Sequence, residues 1–288
     1  MKSICYLAFF VLLLIFSGRG FSQGKLFGSD EPVVYDLVPV NNLEIDADFY
    51  SEKYSGKVNI KLSQKQTQTL DINAYYFNAP DLTLRYGLFK NFEIQFNTGY
   101  TGILTKSQTA IKIKKLKIVN VDHDLTGLNA LSIGAKVGLL PEVGSAPSIA
   151  VTGIITTQTL GVPAFRPNNA GAELDLNMHN TFSDNFDIAY DAGASWSGFD
   201  ADPLPSYSYT LTPNIAFSDD VGCFLSLYGF MQSGSSPVNR FDAGLSFAFG
   251  DNITADGYAG TDFQNAKNFF RFGASISLNF DFNSKHKK

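Results

Sequence analysis

The sequence predicts an all-β protein: an up-and-down antiparallel transmembrane β-barrel of about 12 strands behind an N-terminal signal peptide. Three observations predict it. Period-2 alternation of apolar and polar residues fills the chain after residue 56, while helical periodicity is nearly absent. The connections between alternating segments are short and long in turn. Aromatic residues stand at both ends of the same strand face.

The N-terminus reads as an export signal. Lys2 gives a positive start, ICYLAFFVLLLIF (4–16) is an apolar run, and 17–22 is a short small-residue stretch with a cut expected after Ser22. Thirteen apolar residues fall short of the roughly 20 that a spanning helix needs. Cys5 is lost with the signal, which leaves Cys223 alone and allows no intramolecular disulfide. The cut removes Lys2 and Arg19 and no acid, so a formal charge of −5 becomes −5 − 2 = −7. That balance argues against a nucleic-acid partner. Residues 23–56 are expected as an N-terminal periplasmic segment or plug, 57–282 as the barrel and 283–288 as a polar tail. No segment beyond the signal has the apolar length of a spanning helix, so a membrane location requires a closed barrel that satisfies every backbone hydrogen bond.

The strands are expected at 57–65, 78–88, 92–101, 128–140, 146–158, 171–182, 186–197, 206–218, 221–231, 239–249, 252–261 and 268–282. FFRFGASISLNFDF (269–282) is the cleanest, with Phe270, Phe272, Ala274, Ile276, Leu278, Phe280 and Phe282 on one face and Arg271, Ser275, Ser277, Asn279 and Asp281 on the other. Most segments exceed the roughly 9–11 residues of a tilted membrane strand. Short connections such as SDN (183–185) alternate with long ones such as 102–127, as periplasmic turns alternate with outer loops. Asp184 and Asn185 are residues that tolerate the positive φ of tight hairpin turns.

Phe182 and Phe186 grip that turn, and the device recurs at Phe217 and Phe249, at intervals of 35 and 32 residues. Such a period can mean a solenoid or propeller, but here one period is two strands, a turn and a loop. Phe186 with Trp196, Tyr207 with Phe217 and Phe270 with Phe280 are ten apart on one face; Phe92 with Tyr100 and Phe241 with Phe249 are eight apart. Ten residues at roughly 3.3 Å, tilted by about 40–45°, rise roughly 23–25 Å, which matches the apolar band between two aromatic girdles. These residues are the expected interface anchors. Charged residues avoid this face, where a lysine or arginine at mid-membrane costs roughly 2–4 kcal/mol. A soluble β-sandwich is the alternative.

NAPDLTLRYGLFKNFEIQF (78–96), LNALSIGAKVGLLPE (128–142) and RFDAGLSFAFGDNITADGYAGTDFQNAKNFFRFGASISLNF (240–280) resemble the leading and closing strands of an outer-membrane transporter-like family named for the meta-pathway of phenol degradation. The likeness spans most of 57–282. It departs at IDADFY (45–50), where the family's Asp-Arg-Pro motif is expected, and at the tail NSKHKK that follows Phe282. The resemblance implies uptake of small, hydrophobic or aromatic molecules across the bacterial outer membrane.

The inward face is the place for chemistry. Its expected lumen residues are Arg85, Glu93, Lys136, Glu173, Asp175, His179, Asp187, Asp191, Asp242, Asp256 and Arg271. They either solvate and cross-link the interior or form an acidic wall, Glu173–Asp175–His179 with Asp187–Asp191, that biases passage. No catalytic residue is expected: His179 has Thr181 rather than a serine two positions on, and its parity is inward. No metal site or cofactor is expected either. The three histidines do not pair at ligand spacing, and NITADG (252–257) would place Phe263 where a calcium loop needs glutamate. No glycine-rich phosphate loop opens a helix. The basic run IKIKKLKIVNVDHD (111–124) is a solvated outer hairpin or a contact for anionic lipopolysaccharide. The expected partners are outer-membrane lipid and lipopolysaccharide, the barrel-assembly machinery and an unidentified small solute, with the chain a monomer. A non-transporting structural or adhesive barrel is the second reading.

Overall fold

A computed structural model describes residues 37–63, 66–107, 123–199, 204–232, 235–264 and 266–282. The strands are β1 (Asn42–Ser63), β2 (Gln66–Phe89), β3 (Phe92–Ser107), β4 (His123–Leu128), β5 (Ala130–Leu140), β6 (Ser148–Leu160), β7 (Gly171–Ser183), β8 (Phe186–Trp196), β9 (Pro205–Ala216), β10 (Val221–Gln232), β11 (Val238–Ala248), β12 (Ile253–Asp262) and β13 (Phe269–Asp281). Consecutive strands pair antiparallel, except that β4 and β5 both pair with β3, and β1 closes on β13 from Asn42↔Asp281 to Tyr54↔Phe269. Closure removes both sheet edges, which is the condition for carrying strands through lipid.

β4 and β5 are two halves of one stave. Both pair with β3, and only Asn129 separates them, its N–H donated to Gly99 O at 2.7 Å. The wall is therefore a closed antiparallel barrel of 12 staves, as the alternation predicts.

Ten of the expected strands match the observed ones to within a few residues, the fourth being split at Asn129. The first two are far longer than 57–65 and 78–88. Residues 42–56, expected in a periplasmic segment or plug, form most of β1 and belong to the wall. Their alternation was hidden by acids: Glu44, Asp46, Asp48 and Glu52 face inward between Leu43, Ile45, Ala47 and Phe49. Residues 1–22, 23–36 and 283–288 lie outside the described residues, as does the basic run except His123 and Asp124.

Pro80 sits where β2 bulges between Asn78 and Asp81, a position that tolerates a residue without an N–H. The bulge reverses the parity, so Tyr76 and Asn78 below it and Asp81 and Arg85 above it all face inward. The turn at Asp184-Asn185 closes differently from the expectation. Among the described non-glycine residues, positive φ occurs at Asn41, Asn91 and Leu160 and at neither turn residue. A register shift between Thr181 and Ser183 supplies the local twist instead.

Burial is inverted relative to a water-soluble protein. Leu174 and Leu176 are exposed on β7, and the most deeply buried side chains include Glu93, Thr101, Ser148 and Ser246. On most staves the described apolar residues face outward and polar ones face the lumen, with Tyr50, Tyr76 and Ile103 as inward exceptions, the arrangement that lipid outside and water inside select.

Candidate functional site: the barrel lumen

All eleven expected lumen residues project from the inner wall, and the structure gathers them into separate groups. Near the short-turn end, Arg85 Nη1 lies 2.7 Å from Glu44 Oε1 and its Nε 2.9 Å from Glu93 Oε1. The second oxygen of Glu93 accepts the Val38 N–H at 2.7 Å. The carboxylate thus ties three staves and the segment before β1 together, and its side chain is fully buried. Lys136 is placed next to it by the pairing of β5 with β3.

A second group surrounds His179. Its Nε2 is 3.2 Å from Asp187 Oδ1 and its Nδ1 is 3.5 Å from Glu142 Oε2. Glu142 also accepts the Thr181 N–H at 2.6 Å, which pins the 141–147 turn to β7. Asn214 donates to Asp187 at 2.6 Å. Buried Ser148 stands opposite His179 in the β6–β7 ladder, and the group ties turn to wall.

The third group fills the lumen toward the long-loop end. Arg271 sits 3.3 Å from Asp242, 3.7 Å from Glu52 and 3.9 Å from Asp48. Its guanidinium also lies over the rings of Tyr50 (4.5 Å) and Tyr258 (5.1 Å). Tyr50 packs on Tyr76, whose hydroxyl donates to Asn78; Asn78 accepts in turn from Thr101. Beside this block Arg240 lies 3.8 Å over Phe269 and 5.5 Å over both Tyr54 and Phe230.

Between these groups lies an open cavity of about 230 Å³. Eight carboxylates line it (Asp46, Asp48, Asp81, Glu93, Glu173, Asp175, Asp191 and Asp256) against two cations, Arg85 and Lys136. Neutral donors orient several of them: Asn97 to Asp81 (3.0 Å), Asn177 to Asp191 (2.5 Å), and Ser246 and Ser275 to Asp256 (2.5 and 2.9 Å). Such donors fix a carboxylate without cancelling its charge, so the cavity wall is net negative, with apolar groups such as Ile154, Phe199 and Phe230 between the charges.

The expected anchors alternate along their strands with the inward residues, and Trp196 and Tyr207 also border the cavity. Phe92, Phe182, Phe186, Phe217, Phe249 and Phe280 stand toward the short turns, and Tyr100, Trp196, Tyr207, Phe241 and Phe270 toward the long connections. Phe182 and Phe186 stack across their turn at 5.7 Å between centroids, and Phe241 packs on Phe263 at 5.0 Å.

Sequence reasoning missed Glu44, Asp48, Tyr50, Glu52, Tyr76, Glu142, Tyr228, Arg240 and Tyr258. The signal for Arg240 was present, since it shares inward parity with Asp242. Tyr50 and Glu52 were lost with the misplaced start of β1.

The chain from 91 to 280 matches the model of the family described as "Putative MetA-pathway of phenol degradation". That is about two thirds of the sequence. The chain belongs to this family. Among solved structures, an outer-membrane channel from Pseudomonas putida F1 is similar with a TM-score of 0.57 at 13% identity, covering 88% of this chain and 100% of that one. A monoaromatic hydrocarbon channel, CymD, gives 0.45 at 10% identity over 85% of this chain and 89% of that one. A Pseudomonas aeruginosa FadL homologue gives 0.43 at 8% identity over 92% and 97%. No curated protein matches the chain. At these identities the first likeness establishes the outer-membrane barrel fold and leaves the solute to the lumen itself.

Proposed function

We propose that this family member is a monomeric outer-membrane channel that takes up small molecules, of which single-ring aromatics carrying a hydrogen-bonding group fit best. The observation that carries this reading is an apolar-outside barrel enclosing a cavity of about 230 Å³ lined by both apolar and hydrogen-bonding groups. An engineered cavity of about 150 Å³ holds benzene, so one ring with a hydroxyl or amino group has room. The family's description supports an aromatic solute. The net-negative lining favours neutral and cationic solutes over anions.

The chain is exported by its signal, cut near Ser22, inserted by the barrel-assembly machinery and seated in outer-membrane lipid and lipopolysaccharide. The expected anchors, Phe182 and Phe186 among them, hold it at the two interfaces. The eleven inward residues line or brace the path.

Reconstituted protein in planar bilayers conducts, and loaded liposomes admit phenol-like solutes faster than carboxylate-bearing ones of equal size. A sealed barrel defeats the channel reading. The packed Arg271–tyrosine block favours a second reading, a non-transporting structural or adhesive barrel, and the same experiment separates the two. The barrel itself is checked by its different mobility in SDS gels with and without boiling.

A further inference from the structure

One connection at the long-loop end runs inward rather than out into solvent. β6 ends at Leu160, and Leu160 and Gly161 take φ values of 55° and 70°. Two successive left-handed residues reverse the chain sharply. Gly161 then passes against the backbone of Asn129 and Ala130, at the break between β4 and β5, where a Cβ would come within 2.7 Å of Ala130 N. The next residue, Val162, occupies the space a side chain on Gly127 would need, with its Cγ2 2.5 Å from that position. Gly127 pairs with Thr101, whose side chain points into the lumen. Val162 is therefore inside the barrel.

Phe165 completes the insertion. It is only 6% exposed and clusters with Tyr50, Tyr76 and Ile103 on the inner faces of β1, β2 and β3, with Val162, Leu125 and Tyr54 packed alongside. An aromatic this deeply buried at the middle of a ten-residue connection is held by packing. The returning chain is tied to the next connection: Asn168 donates to Phe199 O at 3.1 Å and Asn169 N–H to Gly198 O at 2.7 Å. Pro167, Gly198 and Phe199 line the outer end of the acidic cavity.

From this geometry we propose that the 161–170 connection is a cap folded into the barrel mouth, latched by Phe165, that sets the size of solute reaching the cavity. The proposal deepens the channel reading and rests on it for its solute. The latch works because the aromatic socket belongs to the rigid wall while the cap is joined to β6 and β7 by its two ends. Removing the ring empties the socket and frees the cap to swing outward.

The test uses the full chain carrying Cys223→Ser. Phe165→Ala raises single-channel conductance at least about twofold and lets liposomes admit larger sugars, with Phe165→Leu intermediate and serving should the alanine variant fail to fold. Adding Gly127→Cys and Val162→Cys provides a clamp, since Val162 Cβ lies 3.1 Å from the Cβ position of residue 127, close to the roughly 3.5–4.5 Å of a disulfide. Oxidation of that pair in Phe165→Ala returns conductance to the wild-type level, and reduction raises it again. Unchanged conductance and size cut-off in both Phe165 variants overturns the cap. So does an increase that oxidation leaves in place, because then ring volume rather than cap position sets the limit.

A second readout keeps the cap separate from the channel. Ser195→Cys places a thiol on the cavity wall, and an aqueous thiol reagent labels it several-fold faster in Phe165→Ala. Faster labelling without conductance supports the cap and sinks the channel reading; equal labelling rates overturn the cap.

Discussion

Arg85 Nη1 and Glu44 Oε1 stand 2.7 Å apart inside the barrel, both nearly devoid of solvent contact. Glu44 belongs to the first stave and Arg85 to the second, and Glu93 on the third takes the remaining face of the guanidinium at 2.9 Å. A cation shared between two carboxylates is stable only while all three are present, because a lone buried charge costs more than the pair returns. The group fixes the spacing of the first three staves near the short-turn end.

Arg85→Ala removes the cation that Glu44 and Glu93 share. A cost of about 3–5 kcal/mol follows from stranding a buried ion-pair partner. Glu44→Gln with Glu93→Gln and Arg85→Met removes all three charges and costs less than the single change. Unfolding midpoints in urea, read from the shift in gel mobility, rank the variants. A triple variant weaker than Arg85→Ala would contradict the argument.

The cavity holds eight carboxylates and two cations, so the reversal potential across a potassium chloride gradient should report preference for the cation. Asp81→Asn, Asp175→Asn and Asp191→Asn together move that potential toward zero, with little change in stability because the amide fills the same volume. Asp187→Asn, which lies with His179 beside the 141–147 turn, moves it less. An anion-selective wild type would exclude this account of the lining.

The barrel was legible in the sequence because lipid outside and water inside impose period 2 on each stave, as 269–282 shows most plainly. Lumen parity was legible for the same reason: Asp175 and Arg271 could point nowhere else once Leu174 and Phe270 faced lipid. What the lumen residues touch was not legible. Arg271 meets Asp48, Glu52 and Asp242 from β1 and β11, and that meeting depends on the closure register between β1 and β13, which alternation does not encode. The start of β1 was obscured because inward-facing acids make a wall segment look like a polar leader. Phe165 was unreadable for a different reason: a phenylalanine in a connection carries no period, and only the fold shows that the connection turns inward.

Phe182 and Phe186 stack at 5.7 Å on the outer face beside the Asp184-Asn185 turn. Replacing both with alanine removes apolar area and an aromatic pair worth about 0.5–1.5 kcal/mol beyond its area. The unfolding midpoint falls, while the reversal potential and size cut-off stay at wild-type values, since neither ring faces the lumen. A changed selectivity would place them in the path instead.

Arg271 gives the sharpest contrast between charge and shape. Its guanidinium lies 4.5 Å over Tyr50 and 5.1 Å over Tyr258 while contacting Asp242 at 3.3 Å. Lysine at this position keeps the positive charge but offers one compact ammonium in place of a planar fork, so it cannot stack on two rings and reach three carboxylates together. Arg271→Lys should therefore recover only part of the stability lost in Arg271→Ala, where Glu52, Asp48 and Asp242 are left crowded at a cost of about 3–5 kcal/mol. Adding Asp242→Asn and Glu52→Gln to Arg271→Ala relieves that crowding and raises the midpoint above the single variant. If Arg271→Lys matches wild type, charge alone holds the block together and the stacking geometry contributes nothing measurable.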